Sequence, residues 1–113
     1  MICRVWHGWT THQNADAYER LLKTEVFASI IARRVQGYQG IQLLRRAHGP
    51  EVEFVTLMWF DSLDAVRVFA GEDYARAVVP QKAQQLLARW DVRSSHFEVR
   101  DERRGGAATS TSS

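Results

Sequence analysis

The sequence predicts an α+β fold in which helices cover an antiparallel sheet, and three observations carry this prediction. Residues 2–10 and 51–60 place apolar side chains at the two-residue spacing of a strand. Residues 15–34 carry apolar side chains at helical spacing instead. The 113 residues are 45% hydrophobic and 25% charged, which suits one folded domain with its own core.

The first half of the chain is predicted to fold as strand, helix, strand and strand. The strand of residues 2–10 points Cys3, Val5, His7 and Trp9 inward. Asn14 caps the helix of residues 15–34, and residues 41–47 form a second strand before the turn at residues 49–50. The third strand, residues 51–60, is apolar on both faces, with Phe54, Thr56, Met58 and Phe60 on one and Val55, Leu57 and Trp59 on the other.

The second half supplies two helices and a last strand. Ser62 caps a helix that ends at Gly71, and its buried side carries Leu63, Val66, Phe69 and Ala70. Pro80 begins a further helix, whose apolar stripe is Ala83, Leu86, Leu87 and Trp90. Residues 94–100 form the last strand, so the order is that of a ferredoxin-like split βαβ fold. Residues 1–100 make up this domain, and residues 101–113 are expected to be a disordered tail.

Composition excludes several classes of partner and site. The net charge of +2 is spread without a basic stripe, so nucleic acid is not an expected partner. No apolar run is long enough for a membrane span and the N-terminus does not resemble a signal peptide, which predicts a cytoplasmic protein. The single cysteine, Cys3, and the spacing of the four histidines predict no disulfide and no metal site. No phosphate-binding glycine loop is present, so no cofactor is expected.

The sheet is predicted to bury both of its faces, although helices cover only one. The third strand has Val55, Leu57 and Trp59 opposite its Phe54 side. A second copy of the chain that packs sheet against sheet would bury these residues, so the sequence predicts a homodimer.

Several segments together resemble a known group of proteins. They are Arg4-Val-Trp-His-Gly-Trp-Thr10, Gly37-Tyr-Gln-Gly40, Phe54-Val-Thr-Leu-Met-Trp-Phe-Asp-Ser-Leu-Asp-Ala-Val66, Phe69-Ala-Gly-Glu-Asp-Tyr74, Val78-Val-Pro80 and His96-Phe-Glu-Val99. The chain resembles the antibiotic biosynthesis monooxygenase-like family of the dimeric α+β barrel superfamily over residues 2–100. The resemblance implies a sheet-to-sheet dimer with a ligand cavity between sheet and helices. Some members oxidise aromatic polyketides without metal or flavin, and others degrade haem.

The resemblance separates these two activities. Haem-degrading relatives use an Asn, a Trp and a His at places that correspond here to His7, Phe60 and about Val78. All three differ, and a valine offers haem iron no axial ligand, so haem degradation is not expected. Polyketide-oxidising relatives use Asn, Trp, Tyr and Arg side chains around the cavity. The only asparagine here is Asn14, which is interpreted as a helix cap.

His7 and Tyr74 are the predicted catalytic pair. An imidazole can accept a phenolic proton near neutral pH, and the phenolate is the form that reacts with oxygen. Tyr74 would orient the substrate by a hydrogen bond, and the pocket walls would be Trp9, Phe54, Phe60 and Phe69. The structural alternatives are a core-edge histidine and plain core aromatics.

The predicted function is a cofactor-independent monooxygenase of a small aromatic or phenolic compound. Two alternatives stay open, a non-catalytic binding or stress-related protein and an isomerase or lyase in the same cavity. A pocket of several hundred Å³, on the order of those that hold drug-sized ligands, with His7 and Tyr74 converging on it would favour ligand handling.

Overall fold

The computed structural model describes residues 1–105, which form five strands and four short helices. Helix α1 runs into helix α2 through a π-helical turn at Leu22–Val26, so the two form one continuous helical segment. The bounds are β1 Ile2–Thr11, α1 Ala15–Leu21, α2 Phe27–Ala32, β2 Tyr38–His48, β3 Glu51–Phe60, α3 Leu63–Ala70, α4 Gln81–Gln84, β4 Leu87–Trp90 and β5 Ser95–Glu98.

The sheet confirms the predicted ferredoxin-like arrangement. Its strands are antiparallel in the order β2-β3-β1-β4, with β5 also paired to β1. Strand β4 pairs with Gly8–Thr10 and β5 pairs with Ile2–Val5, so two short strands share the edge position next to β1. This places β1 at the centre of the sheet, where its side chains meet neighbours on both sides.

The predicted helix after Pro80 is wrong beyond its first turn. Helix α4 ends at Gln84, and Leu87 and Trp90 belong to strand β4. Their spacing fits a helix, but the edge of β1 offers unpaired backbone groups that β4 satisfies at Gly8 and Thr10. Tertiary pairing therefore overrides the local pattern.

The helix ends agree with the sequence only in part. Ser62 caps α3 as predicted, because its Oγ accepts a hydrogen bond from the Ala65 N–H at 3.2 Å, and Gly71 follows the helix at φ 92°. Asn14 occupies the N-cap position of α1 as predicted, but it does not cap the helix through its side chain. Its side chain makes no capping bond and instead donates to the Leu86 carbonyl at 3.3 Å, tying α1 to the approach of β4.

The two sheet faces differ in what covers them. The hydrophobic clusters formed with the helices take their strand residues from one face, which we call the helix-covered face. It carries Ile2, Arg4, Trp6 and Gly8 of β1 beside Phe54, Thr56, Met58 and Phe60 of β3. The opposite side, the open face, carries Cys3, Val5, His7 and Trp9 beside Val55, Leu57, Trp59 and Glu53. The faces of β3 are as predicted, but the inward direction assigned to the odd-numbered residues of β1 is wrong.

The remaining sequence predictions concern the C-terminal tail, membrane-spanning helices and the cellular location. Residues 101–105 are exposed and lack helix or strand, and the rest of the predicted disordered tail lies outside the described residues. None of the helices in the described part is long and apolar enough to cross a membrane. The cytoplasmic location stays a prediction.

Candidate functional site

A cavity of about 90 Å³ lies between the helix-covered face and the helical segment. Its floor comes from β1 and β3, its wall from α1 and the π-helical turn, and its rim from the segment Ala77–Pro80. Most of the lining is apolar, and its polar side chains are Arg4, Tyr18, Thr56 and Ser94. The volume is well below the roughly 300 Å³ at which drug-sized pockets begin, so the cavity as it stands takes a small occupant.

The structure brings one of the six predicted site residues to this cavity. Phe69 is part of the lining, whereas Phe54 and Phe60 are fully buried core residues behind it. The aromatic pairs Tyr18–Phe54 and Phe60–Phe69, with ring centroids 4.8 and 5.5 Å apart, fix these cores. Phe54 and Phe60 therefore support the wall without forming its surface.

His7 and Trp9 lie on the open face, away from the cavity. Nδ1 of His7 is 2.8 Å from a carboxylate oxygen of Glu53, and Arg46 donates to the other oxygen at 2.7 Å. The His7 and Trp9 rings stack at 5.9 Å. The two hydrogen bonds from Arg46 and His7 hold the pKa of Glu53 below its ordinary value. His7 thus belongs to an ion-paired cluster, and the predicted convergence of His7 with Tyr74 does not occur.

Arg4 is the residue that the sequence reasoning missed. It is 5% exposed, lines the cavity and donates to the backbone carbonyls of Tyr74 and Arg76, the latter at 3.4 Å. Its guanidinium also lies 5.6 Å from the centre of the Phe69 ring. Burial lowers the pKa of Arg4 to about 10, because the charged form loses its water without gaining a carboxylate.

His96 and Tyr74 complete the surroundings of Arg4. His96 is the cross-strand partner of Arg4 in β5, and its Nε2 lies 3.0 Å from an Arg4 Nη. Because an arginine only donates, Nε2 accepts, which places the ring proton on Nδ1. Burial and then the Arg4 charge lower the pKa of His96, so the neutral form is favoured. The Tyr74 ring meets His96 edge-on at 5.1 Å, so Tyr74 approaches the site through its carbonyl and ring.

Trp6 forms the part of the floor next to Arg4. Its indole N–H donates to the Asp91 carbonyl at 2.7 Å, which fixes the ring across the strand. A Cβ at Gly8 would lie 2.9 Å from the Trp6 ring and 3.0 Å from the Leu87 side chain. Glycine at this position is therefore needed for the ring to lie flat along β1.

Tyr18 presents a hydroxyl to the apolar wall. The residue is 1% exposed, and its hydroxyl has no hydrogen-bond partner among the described residues. Within the same residues, every side-chain N or O atom that is fully buried has a hydrogen-bond partner. The hydroxyl must then be open to the cavity that Tyr18 lines. Burial raises the pKa of Tyr18, so it is a neutral donor. The π-helical turn just after it supplies Leu22 and Val26 to the wall, and such turns recur at functional sites.

The site does not fit haem. A tetrapyrrole is larger than a drug-sized ligand and cannot enter a cavity of about 90 Å³. Val78 lies exposed on the rim and has no atom that could bind haem iron. Within residues 1–105, no group of three or more His, Cys, Asp or Glu side chains is placed to hold a metal ion.

Comparisons with known proteins place the fold. No protein-family model matches the sequence, and no curated protein is significantly similar to it. Among solved structures, a Bacillus cereus protein described as a candidate antibiotic biosynthesis monooxygenase aligns at a TM-score of 0.68 and 12% identity, covering 94% of this chain and 97% of that one.

Two further solved structures have described activities. The heme-degrader MhuD from Mycobacterium tuberculosis aligns at a TM-score of 0.56 and 18% identity, over 92% of this chain and 100% of its own. SnoaB, a cofactor-independent oxygenase from Streptomyces nogalater, aligns at a TM-score of 0.54 and 20% identity, over 89% of this chain and 95% of its own. Identities this low carry the fold and no activity. The chain has the α+β fold of the antibiotic biosynthesis monooxygenase-like proteins.

Proposed function

We propose that the cavity binds a small aromatic or phenolic compound and that the chain oxygenates it without a cofactor. The observation that carries this proposal is the cavity lining, where the Arg4 guanidinium and the Tyr18 hydroxyl stand among apolar and aromatic side chains. Apolar walls with a few placed polar groups are typical of small-molecule sites. The likeness in fold to SnoaB, described as a cofactor-independent oxygenase, agrees with this reaction class.

The proposed chemistry assigns each polar group a task. A phenol becomes reactive toward oxygen as its anion, and the Arg4 charge in a water-poor site would stabilise that anion. Tyr18, held neutral by burial, would donate a hydrogen bond to the same or a second oxygen. For a phenol with a free para position, uptake of O2 gives a quinone and one water. Both electron pairs then come from the substrate, so no external reductant is required.

His7 has no place in this reaction because it lies on the open face. No side chain then acts as the base that was predicted for His7. The substrate binds as the anion, or it gives its proton to water at the rim. Tyr74 acts as a positioning residue, since its carbonyl accepts from Arg4. Replacing Arg4 would affect turnover, whereas replacing His7 would leave the cavity intact.

Oxygen uptake measured against a panel of single-ring phenols tests the proposal. We expect uptake with at least one small phenol, a loss of about tenfold or more in kcat/KM for Arg4→Met, and a smaller loss for Tyr18→Phe. His7→Ala is the matched control and should retain activity. Turnover without oxygen consumption would contradict the oxygenase and favour the isomerase or lyase alternative.

A non-catalytic binding protein is the second candidate function, and the cavity size favours it. At about 90 Å³ the cavity is small, and His7, the predicted base, is held by Glu53 outside it. Binding of small aromatic compounds without oxygen uptake, across the same panel, would establish this alternative.

We also propose that a second copy of the chain covers the open face. Leu44 and Phe97 on this face are 47% and 57% exposed, and Val55, Leu57 and Trp59 lie between them. An apolar sheet face of this kind is the surface that a homodimer buries. Light scattering at micromolar concentration would give the mass of a dimer, and a stable monomer would contradict the proposal.

A further inference from the structure

Arg4 is a buried cation for which the described part of the chain supplies no anion. All three of its hydrogen bonds end on neutral groups, two backbone carbonyls and the Nε2 of His96. Removing a guanidinium from water costs several kcal/mol unless an opposite charge or full hydrogen bonding offsets it. Carbonyls offset part of this cost, but they carry no net charge.

The other charges at this end of the molecule do not remedy the imbalance. Asp64 is paired with Arg67 at 2.7 Å, and Asp73 is paired with Arg93 at 3.1 Å. Arg33 is a second cation near the same Phe69 ring, at 5.1 Å from its centre. Asp64 and Asp73 are thus engaged with other arginines, and Arg33 adds a further positive charge next to Phe69.

The Arg4 guanidinium also retains donors for a further partner. A guanidinium has five N–H groups, and the Nε–H of Arg4 has no partner in residues 1–105. Because no fully buried side-chain nitrogen there lacks a partner, this N–H is open to water. Arg4 is almost fully buried and lines the cavity, so the cavity is where that opening lies.

We propose that the natural ligand is an aromatic carboxylate whose carboxylate pairs with Arg4 and whose ring lies among Trp6, Tyr18 and Phe69. A planar guanidinium matches the two oxygens of a carboxylate better than it matches one phenolic oxygen. The apolar lining accepts the ring, and the exposed rim at Val78 and Pro80 lets a substituent reach solvent. The enclosed volume of about 90 Å³ is less than the roughly 150 Å³ that holds benzene in a closed core, so the ligand is limited to a single ring, part of which lies at the open rim.

This inference rests on the ligand-binding part of the proposed function and is independent of the oxygenation. Benzoate and its neutral isostere benzamide are the probes, titrated into the wild-type chain by calorimetry. Charge-assisted pairing at a buried site predicts that benzoate binds at least about tenfold more tightly. Equal affinities would overturn the carboxylate assignment, and this comparison requires no variant.

Variants locate the preference at Arg4. Arg4→Met keeps the length of the side chain and should abolish the preference for benzoate, while Arg4→Lys should keep part of it. Arg67→Met is the matched control, because Arg67 lies 5.3 Å from the Tyr74 ring but already has Asp64 as its partner. A preference that survives Arg4→Met in a folded protein, as judged by its thermal melting, would contradict the inference.

The two proposals fail in distinguishable ways. A preference for benzoate without oxygen uptake would support the carboxylate site and contradict the oxygenase proposal. Oxygen uptake with neutral phenols, but no preference for benzoate over benzamide, would support the oxygenase proposal and contradict the carboxylate site.

Discussion

Arg46 and Arg89 on the open face of the sheet differ from Arg4 on the helix-covered face in the charge of their partners. On the open face, Arg46 and His7 share the carboxylate of Glu53, and Arg89 donates to Glu51 at 2.9 Å while it covers the Trp9 ring. On the helix-covered face, Arg4 is more deeply buried and has only neutral acceptors. Charges on the open face are balanced within the chain. This difference supports the proposal that a ligand binds on the helix-covered face, beside Arg4.

The largest expected effect on association concerns the open face. Leu57→Asp would place an uncompensated charge in the centre of the proposed dimer interface and should weaken the dimer by about 100-fold or more. Sedimentation equilibrium measures this change. Val68→Asp on the exposed side of α3 is the control and should leave association unchanged. A dimer that tolerates Leu57→Asp would place the interface elsewhere.

A large effect on stability is expected for the helix-covered face. Phe54 is fully buried against Tyr18, so Phe54→Ala should lower the free energy of unfolding by about 3–5 kcal/mol. Phe97→Ala on the open face, measured by urea denaturation at a concentration that keeps the chain monomeric, should cost less than about 1 kcal/mol. Similar losses of unfolding free energy in both variants would contradict the claim that only the helix-covered face packs a core within one chain.

Gly8→Ala tests the floor of the cavity. The new methyl group would meet the Trp6 ring and the Leu87 side chain, so the ring must shift. We expect a loss of about 1–3 kcal/mol in the free energy of unfolding, together with weaker binding of aromatic ligands. Gly105→Ala has no atoms near the added Cβ and serves as the control. Unchanged ligand affinity in Gly8→Ala would show that Trp6 does not shape the site.

The smallest effect is a difference in pH dependence between the faces. Both His96 and Glu53 have a pKa below the ordinary value, which is 6.5 for the first and 4.5 for the second. Each therefore contributes stability that is complete above that value and is lost as the pH falls through the folded-state pKa. Urea denaturation across the acid range should show His96→Gln flattening the slope below 6.5 and Glu53→Gln flattening it only below 4.5. If both variants flatten the slope over the same pH range, the assignment of the two ranges to His96 and Glu53 is contradicted.

Much of the fold follows from the sequence, because the pattern of β3, the cap at Ser62 and the end at Gly71 are local signals. The direction of β1 does not follow. Alternation shows which residues share a face, but both faces of β1 are apolar and only pairing with β3 decides which face meets the helices. Arg4 shares the helix-covered face with Trp6. The strand β4 was missed for a similar reason, since its partner is distant in sequence.

The site was harder to predict than the fold. Arg4 and His96 are 92 residues apart and meet only because β5 pairs with β1. Arg4 lies on the same face of β1 as Ile2 and Trp6, and this spacing points to the cavity once the direction of β1 is known. Phe69 was found because its helix has one apolar side.

The most direct test of the account is a nitrogen-15 NMR titration of the arginine Nε–Hε signals with benzoate. The signal that Arg4→Met removes should shift on titration, because the Nε–H faces the cavity. The signal of Arg46, held by Glu53 on the open face, should stay in place. Movement of the Arg46 signal without movement of the Arg4 signal, or movement of neither, would contradict the claim that the helix-covered face binds the ligand.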